Sequence, residues 1–294
     1  MLCRMRLHLV DGTYELFRAH FSKRPEHRVK GQTFKATAGL LSSLLFLLQE
    51  EAEAVTHLAV AFDHPIRSFR NDLFPAYKSD EGVPDELRVQ FGIAEEAVRA
   101  LGLTVWPMAE FEADDALATA ADRFGSATTQ VRVLSPDKDL LQCVRGSEVV
   151  LVKRVQQQVV DEAQMRATWG IAPASIPDYL ALVGDDADGI PGLTGFGAKG
   201  AAALLGTYGH LEQIPARSSD WKVKPRGAEV LAATLQENLE AAKLYRTLAR
   251  LRTDVPLKET LDDLRFAGVP RAHFLKLCDR LELTSMKERP QRWA

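Results

Sequence analysis

Apolar residues in the first half of the chain fall in short runs, and each run ends near a carboxylate. Arg6–Val10 leads to Asp11, and Val55–Phe62 leads to Asp63. Leu103–Trp106 is followed by Glu112, and Gln130–Leu134 by Asp137. Short apolar runs rich in β-branched residues predict strands. Between them the spacing turns helical. Phe34–Glu53 predicts a mostly buried helix, and Pro84–Leu101 an amphipathic one with Pro84 in its first turn. A further helix is predicted from Glu112 through Phe124, and a strand pair at Glu148–Lys153 and Gln157–Val160. Strands alternating with helices predict an α/β fold with a mostly parallel central sheet flanked by helices. The pattern becomes nearly all helical after Asp161, an expected helix cap. Pro173 and Ser175 open a helix into Leu182, and Gly197–Leu205, Ala228–Arg250 and Arg271–Leu281 follow. An α/β domain is therefore expected over 1–163 and a helical region over 164–294.

The acids have a shared position. Asp11, Asp63, Glu112 and Asp137 all stand just past an expected strand. In an open parallel sheet, ligands bind outside the carboxyl ends of the strands, so these acids are expected on one rim. A single Asp there is ordinarily a helix cap or a turn residue. Asp114, Asp115 and Asp139 add to the four, which argues against caps alone. A third cluster, Gly184–Gly189, carries Asp185 and Asp188 and is expected to complete the rim. Carboxylates this dense require bound cations or proton uptake. Hard divalent cations with oxygen ligands meet that need. The set is large enough for two Mg²⁺ or Mn²⁺, which together can activate a water and stabilise the leaving oxygen of a phosphodiester.

Net charge, −3, argues against a nucleic-acid partner until its distribution is considered. Within 199–252, Lys199, Arg217, Lys222, Lys224, Arg226, Lys243, Arg246, Arg250 and Arg252 outnumber Glu212, Asp220, Glu229, Glu237 and Glu240. That balance suits a phosphate-facing surface; a solvated helical face of mixed charge is the plainer account. Over 67–88, Arg67, Arg70, Lys78 and Arg88 interleave with Phe69, Phe74 and Tyr77. Aromatics can stack on bases while cations clamp phosphates, although a basic surface loop would look the same. Gly195–Gly200 fits G-x-G-x-x-G, but helices are expected on both sides, so the strand a dinucleotide site needs is missing. The better account is a turn between helices whose backbone N–H groups approach a phosphate, with Lys199 adding a full charge. A tight structural turn is the alternative. An EF-hand fails because Gly184 and Gly195 would fall at liganding positions. His64, beside Asp63, is expected to face a loop rather than a metal. Cys3, Cys143 and Cys278 are widely spaced, which suits a reducing cytoplasm. Ala36–Leu48 is interrupted by polar residues and glycine and falls short of the ~20 apolar residues of a spanning helix, so no membrane is expected.

The ordered motifs resemble the 5′ nuclease family: the 5′→3′ exonuclease domain of bacterial DNA polymerase I, phage 5′ exonucleases and flap endonucleases. The resemblance rests on Val10-Asp11-Gly12 with Arg18-Ala19, on Phe62-Asp63, on Phe69–Leu73 and on Tyr77-Lys78-Ser79. It continues through Glu112–Asp115, Asp137-Lys138-Asp139, Gly184–Gly192 and Gly195–Lys199. It implies a PIN-like, resolvase-like fold with a short helical arch around 65–90 and a helix–three-turn–helix at about 178–206. It implies that Asp11, Asp63, Glu112, Asp114, Asp115, Asp137, Asp139, Asp185 and Asp188 hold the two divalent cations. Lys78 would face the scissile phosphate with Arg70 assisting. Arg18, Tyr77, Arg88, Gly192, Gly195, Gly197 and Lys199 would contact DNA, with K⁺ at the helix–three-turn–helix. Expected substrates are DNA with 5′ ends or 5′ flaps and RNA–DNA primer junctions, handled by a monomeric cytoplasmic nuclease.

The family's polymerase-linked members continue Tyr-Lys-Ser with a basic, proline-rich run, where this chain has Asp80-Glu81-Gly82. Either Arg88 or Arg67 takes the place of an arch arginine, or chemistry and flap threading weaken. That substitution keeps open a DNA-junction binding protein of the same fold with little turnover. An RNase of the PIN-like fold would leave the 184–200 turn unexplained. With no polymerase segment before Ala294, a free-standing nuclease is expected.

Overall fold

The structure, a computed structural model, describes residues 5–64 and 66–294. Cys3 and Pro65, the first residue of the expected arch, lie outside the described residues. The strands are β1 (Arg6–Asp11), β2 (Arg28–Val29), β3 (Gln32–Thr33), β4 (His57–Asp63), β5 (Thr104–Met108), β6 (Gln130–Leu134), β7 (Val149–Lys153) and β8 (Gln158–Val160). The helices of the first half are α1 (Gly12–His20), α2 (Lys35–Gln49), α3 (Arg70–Leu73), α4 (Asp85–Arg88), α5 (Phe91–Ala100) and α6 (Ala113–Gly125). Those of the second half are α7 (Glu162–Trp169), α8 (Ile176–Val183), α9 (Ala198–Tyr208), α10 (Ala228–Glu237), α11 (Leu239–Ala249) and α12 (Arg271–Arg280).

Two compact units divide the chain. One comprises Met1–Ile66, Asp80–Ser135 and Thr253–Ala294; the other comprises Arg67–Ser79 and Pro136–Arg252. The expected division at 163/164 does not follow these units, because the last forty-odd residues return to the first. Phe266 N–H donates to the Thr56 carbonyl at 2.9 Å, and Trp106 Nε1 donates to Glu259 at 2.9 Å.

In the first unit, β5, β4, β1 and β6 lie side by side in that order, all parallel. Leu7, Leu9 and Val10 of β1 are fully buried, as are Leu58–Phe62 of β4. Continuous apolar strands are what a parallel sheet covered on both faces requires. From β1 the chain steps to β4 and β5, then returns to place β6 on the other side of β1. The order therefore reverses at β1, and a switch point of this kind opens a crevice at the carboxyl ends of the strands. Asp11 and Asp63 are the last residues of β1 and β4.

Two predicted helices are broken, one of them at a side chain that takes the backbone's partner. Pro84–Leu101 forms α4 and α5, separated at the fully buried Gln90. The Gln90 Nε2 donates to the Glu86 carbonyl at 2.8 Å, and its Oε1 accepts from Thr37 N at 3.1 Å. Glu86 C=O is the group that the Gln90 backbone N–H would use in a continuous helix. Ala228–Arg250 breaks at Asn238, whose Nδ2 donates to the Thr234 carbonyl at 2.9 Å.

In the second unit, β7 and β8 form the expected strand pair, which is antiparallel. Asp161 caps α7 as expected, in a reciprocal box with Gln164. Asp178 on α8 is fully buried and accepts from His210 Nδ1 at 2.8 Å, Leu211 N at 3.3 Å and Arg246 Nη1 at 3.0 Å. This network ties α8 to the segment that follows α9 and to α11.

Candidate active site: two sets of carboxylates

The nine expected acids fall in two sets, one in each unit. In the first unit, Asp11 ends β1 and caps α1: Oδ1 accepts from Tyr14 N at 2.8 Å, and Oδ2 accepts from Ser135 Oγ at 2.8 Å. Asp63 ends β4 and accepts from Ala113 N, the first N–H of α6, at 2.7 Å. Its own N–H donates to Thr13 Oγ1 at 2.8 Å. Glu112 caps α6 in a reciprocal box, with Asp115 Oδ2 accepting from Glu112 N at 3.0 Å. Glu112 is 3 % exposed and Asp115 fully buried, while Asp114 is half-buried. Helix capping, expected not to be the whole account of these acids, is present at Asp11 and in the Glu112–Asp115 box.

In the second unit, Asp139, Asp185 and Asp188 each bring an oxygen within 4.8 Å of the others. The loop that carries two of them closes on itself. Asp185 and Ile190 exchange backbone hydrogen bonds of 2.8 Å. Gly192, at φ +70°, passes so close that an added Cβ would lie 2.5 Å from Gly184 N. Asp185 Oδ2 meets Lys138 Nζ at 2.6 Å, and Asp188 Oδ1 meets Lys78 Nζ at 3.2 Å. Asp137 Oδ1 accepts from Asp139 N at 2.9 Å.

Asp139 differs from the rest. It is 4 % exposed, and its Oδ1 has no hydrogen-bond partner among the described residues. Burial, followed by the charges of Asp137, Asp188 and Asp185, pushes its carboxyl well above the ordinary range, against the opposing charge of Lys138. A buried oxygen without a donor, beside two more carboxylates, is the donor set a hard divalent cation requires. The residues therefore fit such an ion.

The remaining expected site residues are placed as follows. Lys78 stands at the acids. Lys199 is exposed on the first turn of α9, and Gly195 and Gly197 are exposed in the turn before it. Gly197 has open space around it, whereas Gly192 is pressed against Gly184, a packing role rather than an open approach. Arg18 is tied to Glu15 and to Ser43 Oγ. Arg88 folds back on the Asp80 carbonyl at 3.1 Å, and Arg67 pairs with Asp72, so both candidates for the arch arginine make local contacts.

Two expectations change. Arg70 is 1 % exposed; its Nε donates to the Leu248 carbonyl at 2.7 Å and its Nη2 to that of Arg250 at 2.9 Å. It closes the carboxyl end of α11, a structural position rather than a substrate-facing one. Tyr77 is 3 % exposed, and its hydroxyl donates to Asp188 Oδ2 at 3.2 Å, so its ring is not a surface stacking platform. The basic surplus of 199–252 is also partly consumed. Arg217 pairs with Asp220, Lys243 with Glu240, and Arg246 with Glu212 and Asp178. His64, expected to face a loop, has its Nδ1 2.5 Å from Glu95 on α5. Sequence reasoning missed Lys138, Ser135, Thr13 and Asn71. Only Lys138, flanked by two acids, carried a visible signal.

The chain matches a family model for the 5'-3' exonuclease, N-terminal resolvase-like domain over residues 6–170, and one for the 5'-3' exonuclease, C-terminal SAM fold over 171–272. It is 32 % identical over 282 residues to a 5'-3' exonuclease of Aquifex aeolicus, covering 96 % of this chain and 92 % of that protein. It is 35 % identical over 290 residues to the DNA polymerase I of Rhizobium leguminosarum, covering 96 % of this chain but 28 % of that relative's length. Among solved structures, the bacteriophage T5 D15 flap endonuclease, in a pseudo-enzyme-product complex with DNA and metal ions, matches with a TM-score of 0.65 at 19 % identity. That match covers 94 % of this chain and 99 % of the phage protein, and is a likeness of fold. Two consecutive family models and a relative matched over nearly its full length agree: the chain belongs to the 5'-3' exonuclease family.

Proposed function

We propose that the chain is a metal-dependent, structure-specific 5′ nuclease that hydrolyses phosphodiester bonds in DNA bearing 5′ ends or 5′ flaps, in replication or repair. The observation that carries this reading is the convergence of Asp139, Asp185 and Asp188 within 4.8 Å, with Lys78 on Asp188. Asp11, Asp63, Glu112, Asp114 and Asp115 would hold one divalent cation, Mg²⁺ or Mn²⁺, and Asp137, Asp139, Asp185 and Asp188 another. Bound there, such cations supply an activated water and stabilisation of the leaving oxygen. The chain's own groups do the rest. Lys78, 23 % exposed at its side chain, brings a fixed positive charge beside Asp188, where a phosphate's developing charge needs a preorganised partner. Lys138 offsets the negative charge of Asp185. The exposed Gly195–Lys199 turn offers backbone N–H groups and a lysine to a DNA backbone without reading bases. RNA–DNA primer junctions and K⁺ at this turn belong to the same proposal. A cytoplasmic monomer is also proposed, in keeping with the lack, among the described residues, of a helix long and apolar enough to cross a membrane.

The test is cleavage of one end-labelled 5′-flap duplex in Mg²⁺ and in EDTA. A short 5′ product that appears only with Mg²⁺ is expected. Tight binding without product over hours would overturn the reading.

A further inference from the structure

Within Ser68–Ser79 lies a buried amide that no metal chemistry uses. Asn71 is 8 % exposed. Its Oδ1 accepts from Ser68 N at 2.9 Å, and its Nδ2 donates to the carbonyls of Tyr77 at 3.2 Å and Lys78 at 2.9 Å. One carboxamide thus closes the loop between Ser68 and Lys78. The partners dictate the residue type, because an N–H lies on one side and two C=O groups on the other. Only a side chain with an acceptor end and a donor end satisfies both. An aspartate would keep the bond to Ser68 and turn an acceptor toward two acceptors.

The closed end of the loop is the backbone of Lys78. From there Lys78 N–H donates to the Asp188 carbonyl at 3.0 Å, and Lys78 Nζ lies 3.2 Å from Asp188 Oδ1. The Tyr77 hydroxyl holds the other Asp188 oxygen at 3.2 Å. Gly189 passes Ala76 so closely that an added Cβ would lie 2.5 Å from its carbonyl oxygen. A lysine side chain has a flexible four-carbon stem, so the placement of its ammonium depends on a fixed root. Arg70, the residue before Asn71, anchors the other end of the loop on the carbonyls of Leu248 and Arg250.

We propose that Asn71 is a positioning residue for catalysis: its carboxamide fixes the backbone at Tyr77–Lys78, and that fixed root holds the Lys78 ammonium beside Asp188. The inference rests on the nuclease reading given above, in which Lys78 acts on the substrate phosphate. Asn71 itself touches no substrate.

Steady-state cleavage of the 5′-flap duplex in Mg²⁺ by wild type, Asn71→Ala, Asn71→Asp, Lys78→Ala and Asn71→Ala/Lys78→Ala tests it. Misplacing a catalytic group by about 1 Å can cost about 100-fold, so Asn71→Ala and Asn71→Asp are expected to lose roughly 10–100-fold in kcat with KM within about twofold. In the Lys78→Ala background, Asn71→Ala should cost nothing further, because the group it positions is gone. A general structural role gives the opposite result, with the Asn71 penalty persisting in full in the double variant. Hydrogen exchange supplies a readout independent of turnover: the Lys78 amide should exchange faster in Asn71→Asp, while α8 and α9 keep wild-type protection. Wild-type kcat in either Asn71 variant, or additive losses in the double variant, overturns the proposal. If Asn71→Ala does not fold, Asn71→Asp, which keeps the Ser68 bond, carries the test alone. If wild type cleaves nothing, the nuclease reading fails, and exchange at Lys78 still decides whether Asn71 fixes the loop.

Discussion

Replacing Asp139 with asparagine should stabilise the protein in EDTA and remove its response to Mn²⁺. Asp139 is buried, one of its oxygens has no hydrogen-bond partner among the described residues, and it shares a 4.8 Å cluster with Asp185 and Asp188. Burial and three neighbouring carboxylates raise its carboxyl pKa well above the usual value of 3.8. The folded protein then holds this proton more tightly than the unfolded chain does. The group therefore subtracts stability progressively as pH rises above the unfolded value, at about 1.4 kcal/mol per unit of raised pKa. Asparagine has nearly the same shape and no charge to desolvate. The amide removes the buried charge and its repulsion by three carboxylates, so Asp139→Asn in EDTA at neutral pH should be more stable than wild type. The gain should shrink as pH falls toward the range where the wild-type carboxyl is protonated in both states. Urea denaturation of both proteins in EDTA, at pH 7.5 and pH 5, measures it. With Mn²⁺ at about 100 times its Kd, wild type should gain about 2.7 kcal/mol and the variant far less. A variant less stable than wild type in EDTA at pH 7.5 would show that the carboxylate is a satisfied structural group. Undiminished stabilisation by Mn²⁺ would remove Asp139 from the metal set.

Other consequences follow from the same geometry. Arg70→Ala should destabilise the protein by about 2–4 kcal/mol, because it leaves the carboxyl end of α11 without its charged donor, and Arg70→Lys should recover little. An unchanged melting temperature with depressed kcat would return Arg70 to a catalytic role. Gly192→Ala forces a Cβ to within 2.5 Å of Gly184 N at φ +70° and should cost about 2–4 kcal/mol, whereas Gly197→Ala, in open space, should stay within about 0.5 kcal/mol; thermal melts of the pair decide it. His8 is fully buried, and burial holds its imidazole below 6.5 despite the bond to Glu53 at 2.9 Å. The unfolded chain takes up that proton first, so stability is lost as pH falls below about 6.5. His8→Gln should flatten the decline between pH 7.5 and 5.5 in urea denaturation, and an unchanged slope would refute the assignment.

The strands and the acids at their ends were legible because an apolar run closed by a carboxylate is a local pattern. Which oxygens are already committed was not legible, since that depends on how the turns fold. Asp11 uses both oxygens locally, on Tyr14 N and Ser135 Oγ, and Asp63 uses one on the first N–H of α6. The helix break at Gln90 was hidden because periodicity records which face is apolar, not whether a side chain takes the backbone's partner. Arg70 and Tyr77 looked like surface groups because cations and aromatics in a short polar stretch suggest exposure. Their burial is decided by partners more than a hundred positions away, at Leu248 and Asp188. The return of Thr253–Ala294 to the first unit was invisible for the same reason. These committed oxygens rank the acids by what they have without a cation. In the first unit the carboxylates cap helices and are held by backbone N–H groups, so neutralising one costs fold stability as well as metal affinity. In the second unit Asp139 has a buried oxygen that no donor among the described residues satisfies, so its cost is met by a cation or a proton. Substitutions should therefore separate the two sets: amides at Asp11 or Asp115 lower stability with or without metal, while an amide at Asp139 raises it without metal and removes the gain that metal brings.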